Sequence, residues 1–169
     1  MSEPASQIDT DADVRAGEVE AQLTDDERFS LLTSVMGESE LFPFHDERFP
    51  PDVPRSAGYA PGIARLGVPA LRMSDAGLGV TNPGYRPGDT ATAFPAGLAL
   101  AASFHPELAH SAGAAVGREA RTRGFNVLLG PGINLARDPR NGRNFEYLSE
   151  DPLLSGTMAA HSIAGIQQQ

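Results

Sequence analysis

The 169-residue chain contains no cysteine, so disulfide bonds and thiolate metal sites are excluded. It also contains no lysine, which removes the phosphate-binding residue of nucleotide loops and any Schiff-base chemistry. No apolar run is long enough to cross a bilayer. Carboxylates, guanidinium groups, imidazoles, amides and hydroxyls are therefore left to carry the chemistry of any site.

The chain has few basic residues, and its net charge is −9. An acidic surface repels phosphate groups, which argues against binding to nucleic acid or to an anionic membrane. The start of the sequence lacks a basic region followed by an apolar one, so we find no signal peptide. We expect a cytoplasmic location, with a periplasmic or secreted one open if the natural start lies elsewhere.

Motifs for cofactors and metals are incomplete. The glycine-rich segments GPGINL and GLGVTN follow predicted strands, but neither completes a dinucleotide or nucleotide-phosphate loop. The four histidines lack the close spacing of metal ligands (His45, His105, His110 and His161). We therefore expect neither a cofactor nor a metal.

Two regions of different character make up the chain. Residues 1–22 are acidic and show no apolar periodicity, which predicts a mobile tail. Residues 23–169 are expected to form one domain. Its first helix is predicted to begin after Thr24, with Thr24 and Glu27 as a capping box, and to end at Gly37. A long loop rich in proline and aromatic residues, 38–64, follows it, and its rings suit packing over either a core or a ligand.

The order of the later elements predicts parallel α/β architecture. A short strand at about Ala70–Ser74 is followed by an apolar helical piece and by a long helix that begins at Pro106. The segment FNVLLG then reads as a buried parallel strand, and Asp151 caps a further helix. Strands that alternate with helices favour a parallel sheet.

Polar side chains follow both predicted strands, where ligands of parallel α/β proteins bind. Asp75 ends the first strand, and the loop after the second carries five charged residues (Arg137, Asp138, Arg140, Arg143 and Glu146). A carboxylate accepts two hydroxyl protons and an arginine fork donates to two oxygens, which suits a neutral polyhydroxylated ligand. Alternatively, Asp138 pairs with Arg140 or Arg137 and only stiffens the loop.

Three segments together resemble a known family. They are RLGVPALRMSDAGLGV, TAFPAGLALAASFHPEL and GFNVLLGPGINLARDPRNGRNFEYLSEDP, and in this order they are similar to the amino-terminal part of the barrel domain of glycoside hydrolase family 3, the β-glucosidase family. The resemblance implies an incomplete (β/α)8 TIM barrel that contains only the first βα units. It also implies hydrolysis of O-glycosyl bonds of β-glucosides or short oligosaccharides, from the chain end and with retention of configuration.

The resemblance assigns roles to three residues. Asp75 matches the acid that binds hydroxyls of the terminal sugar in the −1 subsite, Arg143 matches the arginine that binds the same sugar, and Glu146 is expected to orient Arg143. The family's nucleophile and acid/base lie on later segments, so no catalytic residue is expected here. The lone chain is therefore predicted to be inactive without the remainder of the barrel and a second domain. A non-catalytic sugar-binding module and a truncated fragment are the alternatives.

Overall fold

The computed structural model describes residues 10–169, whose contacts divide the chain into two compact units. One unit comprises the described residues up to Ser34 together with Ala60–Ala70. The other comprises Val35–Tyr59 and Leu71–Gln169. All residues of the candidate site belong to this second unit.

The first unit contains two short helices, α1 (Thr10–Glu20) and α2 (Asp25–Leu31). Helix α1 lies in the segment for which the sequence suggested no regular structure, and residues 1–9 of that segment are outside the described part of the chain. Acidic side chains lie in the first turn of α1, and Arg15 pairs with Asp11 one turn before it. Charges placed in this way stabilise a helix without any apolar periodicity.

The predicted capping box at the start of α2 is present. The Thr24 hydroxyl accepts a hydrogen bond from the Glu27 backbone N–H at 3.3 Å, and the Glu27 carboxylate accepts one from the Thr24 N–H at 2.9 Å. Arg65 donates its Nε–H to the same carboxylate at 2.7 Å. This bond from Arg65, aided by the Thr24 N–H, lowers the pKa of Glu27 from 4.5 to about 2.

The predicted end of this helix at Gly37 is wrong, because α2 ends at Leu31. Two residues that continued the apolar spacing, Leu32 and Met36, are exposed. Val35 instead exchanges two backbone hydrogen bonds with Tyr59, at 2.9 and 2.8 Å. A long-range backbone pairing has therefore replaced the last helical turn.

Three strands form the sheet in the order β1 (Gly58–Ala60), β2 (Leu71–Asp75) and β3 (Val127–Leu129). Strands β2 and β3 are parallel, as predicted, and the register places Asp75 opposite Leu129. Strand β1 lies in the segment predicted to be a loop, since three residues are too few to show a periodicity.

The faces of the strands differ from the expected pattern. Leu71 and Met73 alternate with Arg72 and Ser74 in sequence, yet Ser74 is fully buried and Leu71 is 41% exposed. The Ser74 hydroxyl donates to the Asp75 backbone oxygen at 3.1 Å, which satisfies its hydrogen-bonding potential. The sequence predicts a buried strand β3, but Val127 and Leu128 are only partly buried and Leu129 is exposed.

Three helices complete the second unit: α3 (Gly97–Ala101), α4 (Pro106–Thr122) and α5 (Pro152–Gln167). The His105 ring caps α4 by accepting from the Leu108 N–H, and Asp151 caps α5 as predicted. Two buried apolar clusters result. One contains Ala76, Val80, Val116, Ala120 and Phe125, and the other contains Ala101, Ala109, Leu148, Met158 and Ala159.

The contact between α4 and α5 depends on two glycines. A Cβ atom on Gly113 would stand 2.1 Å from the Ser162 backbone oxygen, and one on Gly165 would stand 2.1 Å from the His110 oxygen. Real Cβ atoms essentially never come so close. The two helices therefore touch backbone to backbone at these positions. Within residues 10–169, no helix is both long and apolar enough to cross a membrane.

Candidate functional site at the ends of β2 and β3

Asp75 is the last residue of β2, and its side chain is exposed. Its backbone oxygen accepts a hydrogen bond from the Thr81 N–H at 3.0 Å. The next residue, Ala76, continues the pairing through its N–H to the Leu129 oxygen at 3.3 Å. The Asp75 backbone is thus fixed by the strand on one side and by the following loop on the other.

Arg143 and Glu146 lie at a short 3₁₀ turn, Asn144–Glu146, in the loop after β3. The Arg143 Nε–H donates to the Glu146 carboxylate, and the Arg143 backbone N–H donates to the Asn141 Oδ1 atom at 3.1 Å. The Arg143 side chain is 72% exposed, whereas that of Glu146 is only 16% exposed. The mostly buried Glu146 therefore anchors the guanidinium group of Arg143, which remains exposed to solvent.

The two loops converge. The Oε2 atom of Glu146 lies 3.0 Å from the place where a Cβ of Gly77 would stand, so Glu146 packs against the turn that follows Asp75. The hydrogen bond to Glu146 raises the pKa of Arg143, and the charge of Asp75 contributes to the same increase. The three side chains singled out in the sequence therefore lie near one another.

The Tyr85 ring lies within electrostatic reach of Asp75. Tyr85 is buried, and its ring stacks on that of Phe42 with centroids 6.4 Å apart. Burial raises the pKa of the Tyr85 phenol, and the charge of Asp75 raises it further. The aromatic loop of residues 38–64 thus contributes a ring near the site, while its Phe49 packs on Tyr59 at 5.7 Å.

An ion-pair network fixes the loop after Asp75. Arg86 donates its Nε–H to Asp89 at 2.8 Å, and Arg123 of the helix α4 C-terminus donates to the same carboxylate at 3.1 Å. Arg86 also donates to the Thr81 backbone oxygen at 3.3 Å, and its guanidinium group lies 5.1 Å from the centre of the Phe125 ring. The hydrogen bond from Arg86, followed by that from Arg123, lowers the pKa of Asp89.

Asn82 closes this loop on itself. Its Nδ2 atom donates to the backbone oxygens of Arg86 and Asp89, both at 2.9 Å, and its Oδ1 atom accepts from the Arg86 N–H at 2.9 Å. The sequence predicts only a turn-rich loop for this segment. The Asn-Pro step and the spacing of Arg86 and Asp89 were the available signals, since an asparagine before a turn commonly bonds to its own backbone.

The alternative for Asp138 is also present in the structure. Arg140 donates to Asp138 through Nε at 3.0 Å and through Nη2 at 2.7 Å, a bidentate pair that lowers the pKa of Asp138. This pair stiffens the loop, and Arg137 takes no part in it. Across residues 10–169, no three histidine or acidic side chains gather as a metal would require.

Parallel strands that alternate with helices, with a carboxylate and a guanidinium group after the strand ends, place the chain in the class of parallel α/β proteins. The model of the glycosyl hydrolase family 3 N terminal domain matches residues 30–169. The chain therefore belongs to glycosyl hydrolase family 3.

Individual relatives give the same result. Beta-glucosidase BoGH3A of Bacteroides ovatus is 49% identical over 117 residues, which is 64% of this chain and 16% of the relative. Probable beta-glucosidase M of Emericella nidulans is 36% identical over 150 residues, or 88% of this chain and 17% of the relative. The chain thus spans about a sixth of the length of these curated relatives.

Solved structures are similar to the chain along most of its length. Beta-glucosidase 3B from Thermotoga neapolitana, in complex with alpha-D-glucose, matches 91% of this chain and 21% of its own with a TM-score of 0.76 and 39% identity. The D2-BGL β-glucosidase from Chaetomella raphigera matches 98% of this chain and 21% of its own, with a TM-score of 0.76 and 31% identity. These similarities confirm the predicted fold class, the first βα units of a (β/α)8 barrel.

Proposed function

We propose that this chain forms part of the site that binds the terminal sugar in a retaining, exo-acting β-glucosidase. The proposal depends on one observation: Asp75, Arg143 and Glu146 lie near one another at the ends of β2 and β3. A structural relative solved in complex with alpha-D-glucose supports a sugar as the ligand. The substrate would be a β-glucoside or a short oligosaccharide.

Each residue of the site has a chemical role in this proposal. Asp75 accepts hydrogen bonds from two neighbouring hydroxyls of the sugar, and Arg143 donates to a further oxygen. Glu146 positions Arg143, because its hydrogen bond fixes the guanidinium plane while leaving most of that side chain exposed. Phe42, which is 41% exposed and stacks on the buried Tyr85, supplies the apolar surface that a pyranose ring requires.

Binding of hydroxyls remote from the reacting carbon makes the enzyme act on a chain end. The binding energy of these contacts orients the sugar and favours its distortion toward the transition state. A retaining mechanism needs two further carboxyl groups about 5 Å apart, one as nucleophile and one as acid and base. We assign neither role to any residue here, so the 169-residue chain alone should bind a sugar without cleaving it.

Ligand-observed NMR with methyl β-D-glucopyranoside at millimolar concentration tests the proposal on the chain itself. We expect saturation transfer to the sugar from the unaltered chain, and its loss in Asp75→Ala. Asp52→Ala is the matched control, because it removes an exposed side chain of the same charge from the loop before β1. This variant should bind the sugar as the unaltered chain does. Equal binding by the Asp75→Ala and Asp52→Ala variants would overturn the proposal.

An aryl β-glucoside tests the second part of the proposal. We expect no release of the aryl group by the purified chain above the rate in buffer. Release that disappears in Asp75→Ala would contradict the expected inactivity and would place a complete catalytic site in this chain.

A further inference from the structure

The loop after β3 contains an asparagine followed by a glycine, Asn141 and Gly142, and both residues are exposed. Asparagine is a thermolabile residue, because the backbone nitrogen of the next residue can attack its side-chain amide. Glycine in the next position has no Cβ atom that would hinder this attack. The pair therefore contains the groups needed for a chemical modification of the main chain.

The surrounding turn holds the Asn141 amide in place for the attack. The Arg143 N–H donates to the Asn141 Oδ1 atom at 3.1 Å, which folds the side chain back along its own main chain. A donor at this oxygen also stabilises the negative charge that the oxygen gains when Cγ is attacked. The Asn141 N–H donates to the Asp138 oxygen at 3.1 Å, and the Asn141 oxygen accepts from the Asn144 N–H at 3.3 Å. The backbone of Asn141 is thus fixed on both sides.

The attacking nitrogen, that of Gly142, is free to react. Its N–H has no hydrogen-bond acceptor among residues 10–169. No atom lies within 4 Å of the place where a Cβ of Gly142 would stand. Hydroxide can therefore remove the proton of this N–H without breaking a hydrogen bond of the fold, and there is room for the ring that the attack forms.

The other four asparagines of the chain lack this combination. Asn82 precedes a proline, which has no N–H, and its side-chain amide donates two hydrogen bonds within its own loop. Asn126 precedes the valine that begins β3, and a β-branched side chain hinders the attack. The remaining two precede a leucine and a phenylalanine (Asn134 and Asn144). Asn141 is therefore the asparagine that this chain exposes to the reaction.

We propose that Asn141 is a self-modification site, which converts to isoaspartate and thereby disables Arg143. The deprotonated Gly142 nitrogen forms a bond to the Asn141 Cγ atom, the bond between Cγ and Nδ2 breaks, and the Nδ2 atom takes up a proton and leaves as ammonia. Water then opens the succinimide ring at either of its two carbonyl groups, which gives aspartate or isoaspartate. One water is consumed and one ammonia is released, so the reaction needs no oxidant and no cofactor.

Isoaspartate changes the main chain two residues before Arg143. The chain then runs through the Cβ and Cγ atoms of residue 141 and becomes one atom longer, and the oxygen that accepted the Arg143 N–H becomes a main-chain oxygen. The former backbone carbonyl group becomes a carboxylate. Arg143 thus loses the bond that fixes its backbone, which displaces its guanidinium group from Glu146. The conversion itself does not depend on the proposed function, whereas a loss of sugar affinity does.

Peptide mapping of the full 169-residue chain, after incubation in mildly alkaline buffer, tests the conversion. Cleavage after glutamate gives the fragment Ala120–Glu146, which contains four of the five asparagines, and electron-transfer fragmentation distinguishes isoaspartate from aspartate within it. We expect conversion at Asn141 to be at least about tenfold faster than at any other asparagine, a difference of about 1.4 kcal/mol in activation free energy. The rate should rise with the hydroxide concentration.

Gly142→Ala separates the chemistry from the fold. Gly142 does not have a positive φ, and the new methyl group meets open space, so this variant should fold and bind sugar as the unaltered chain does. Its Cβ should slow the conversion of Asn141 by at least about tenfold. Gly156→Ala adds the same methyl group at an equally open position of α5 and should leave the rate unchanged. Equal rates in Gly142→Ala and the unaltered chain, or conversion at Asn141 no faster than at Asn144, would overturn the proposal.

Sugar titration measures the effect on Arg143. The isoaspartate form should bind methyl β-D-glucopyranoside about tenfold more weakly, while Gly142→Ala keeps its affinity through the same incubation. Asn141→Asp adds the charge without lengthening the main chain and should lose less affinity. If the isoaspartate form binds the sugar as tightly as the original chain, the disabling of Arg143 is wrong. If the chain binds no sugar before incubation, the proposed function is wrong, and the peptide map still decides whether Asn141 is the modified residue.

Discussion

Glu146 binds the Arg143 guanidinium group through one carboxylate oxygen and packs its other oxygen against Gly77, in the turn that follows Asp75. A single half-buried acid thus connects two loops that are about seventy residues apart in the sequence. The proposed sugar site is consequently a property of the fold of the second unit.

Glu146→Gln should weaken sugar binding. The amide retains the shape of the side chain but loses the charge that orients Arg143, so the affinity for methyl β-D-glucopyranoside should fall by about tenfold. Glu150→Gln, at an exposed acid four residues later, is the control and should leave the affinity unchanged. Equal affinities in the two variants would show that Glu146 does not position Arg143.

Asp75→Asn should lower the pKa of Tyr85. The charge of Asp75 raises this pKa in addition to the larger effect of burial, so its removal should shift the tyrosinate titration to lower pH, with the burial effect retained. Ultraviolet absorbance of tyrosinate measures the shift, and Tyr85→Phe identifies which of the three tyrosines is responsible. A Tyr85 titration that is identical in Asp75→Asn would mean that the two groups do not interact.

Glu27 should make the stability of the first unit dependent on pH. Its pKa is about 2 in the folded chain and 4.5 in the reference state, so its contribution is fully present above pH 4.5 and is lost as the pH falls toward 2. Urea unfolding at several pH values should show a smaller loss for Glu27→Gln over this window. Asp26→Asn, in the same helical turn, should retain the loss of the unaltered chain.

Gly113→Ala should destabilise the chain strongly. The new methyl group would overlap the Ser162 oxygen, and forcing the helices apart should cost about 1–3 kcal/mol or more of unfolding free energy. Gly156→Ala, on the same pair of helices, has no atom within 4 Å of the new Cβ and should stabilise by about 0.5–1 kcal/mol. Similar unfolding midpoints for the two variants would contradict the backbone contact between α4 and α5.

Strong local signals made much of this fold predictable. The capping box at Thr24, the cap at Asp151 and the parallel pair of β2 and β3 could be predicted because neighbouring residues or whole apolar segments determine them. The end of α2 could not, because Val35 pairs with Tyr59 across a long loop. Helix α1 escaped prediction because charges stabilise it without an apolar face.

The charged residues of the candidate site could be predicted from the sequence, but the residues that hold the surrounding loops in place could not. Motif resemblance pointed to Asp75 and Arg143, but Tyr85 and Asp89 act through contacts that no spacing in the sequence reveals. Arg123 reaches Asp89 from a helix more than thirty residues later. Contacts of this kind depend on the packing of whole elements, which a pattern in one segment does not contain.

The bonds that Asn82 makes have a consequence for protein engineering. The Asn82 side chain donates to the Asp89 backbone oxygen, so the two ends of the loop 83–88 are joined by a hydrogen bond that does not involve the side chains between them. Arg86 and Tyr85 are the two members whose contacts an exchange of residues in this loop would have to retain. Gly84 and Gly88 have positive φ angles and must stay glycine, so Pro83 and Pro87 are the positions that a library can vary without disturbing the strand from which Asp75 projects.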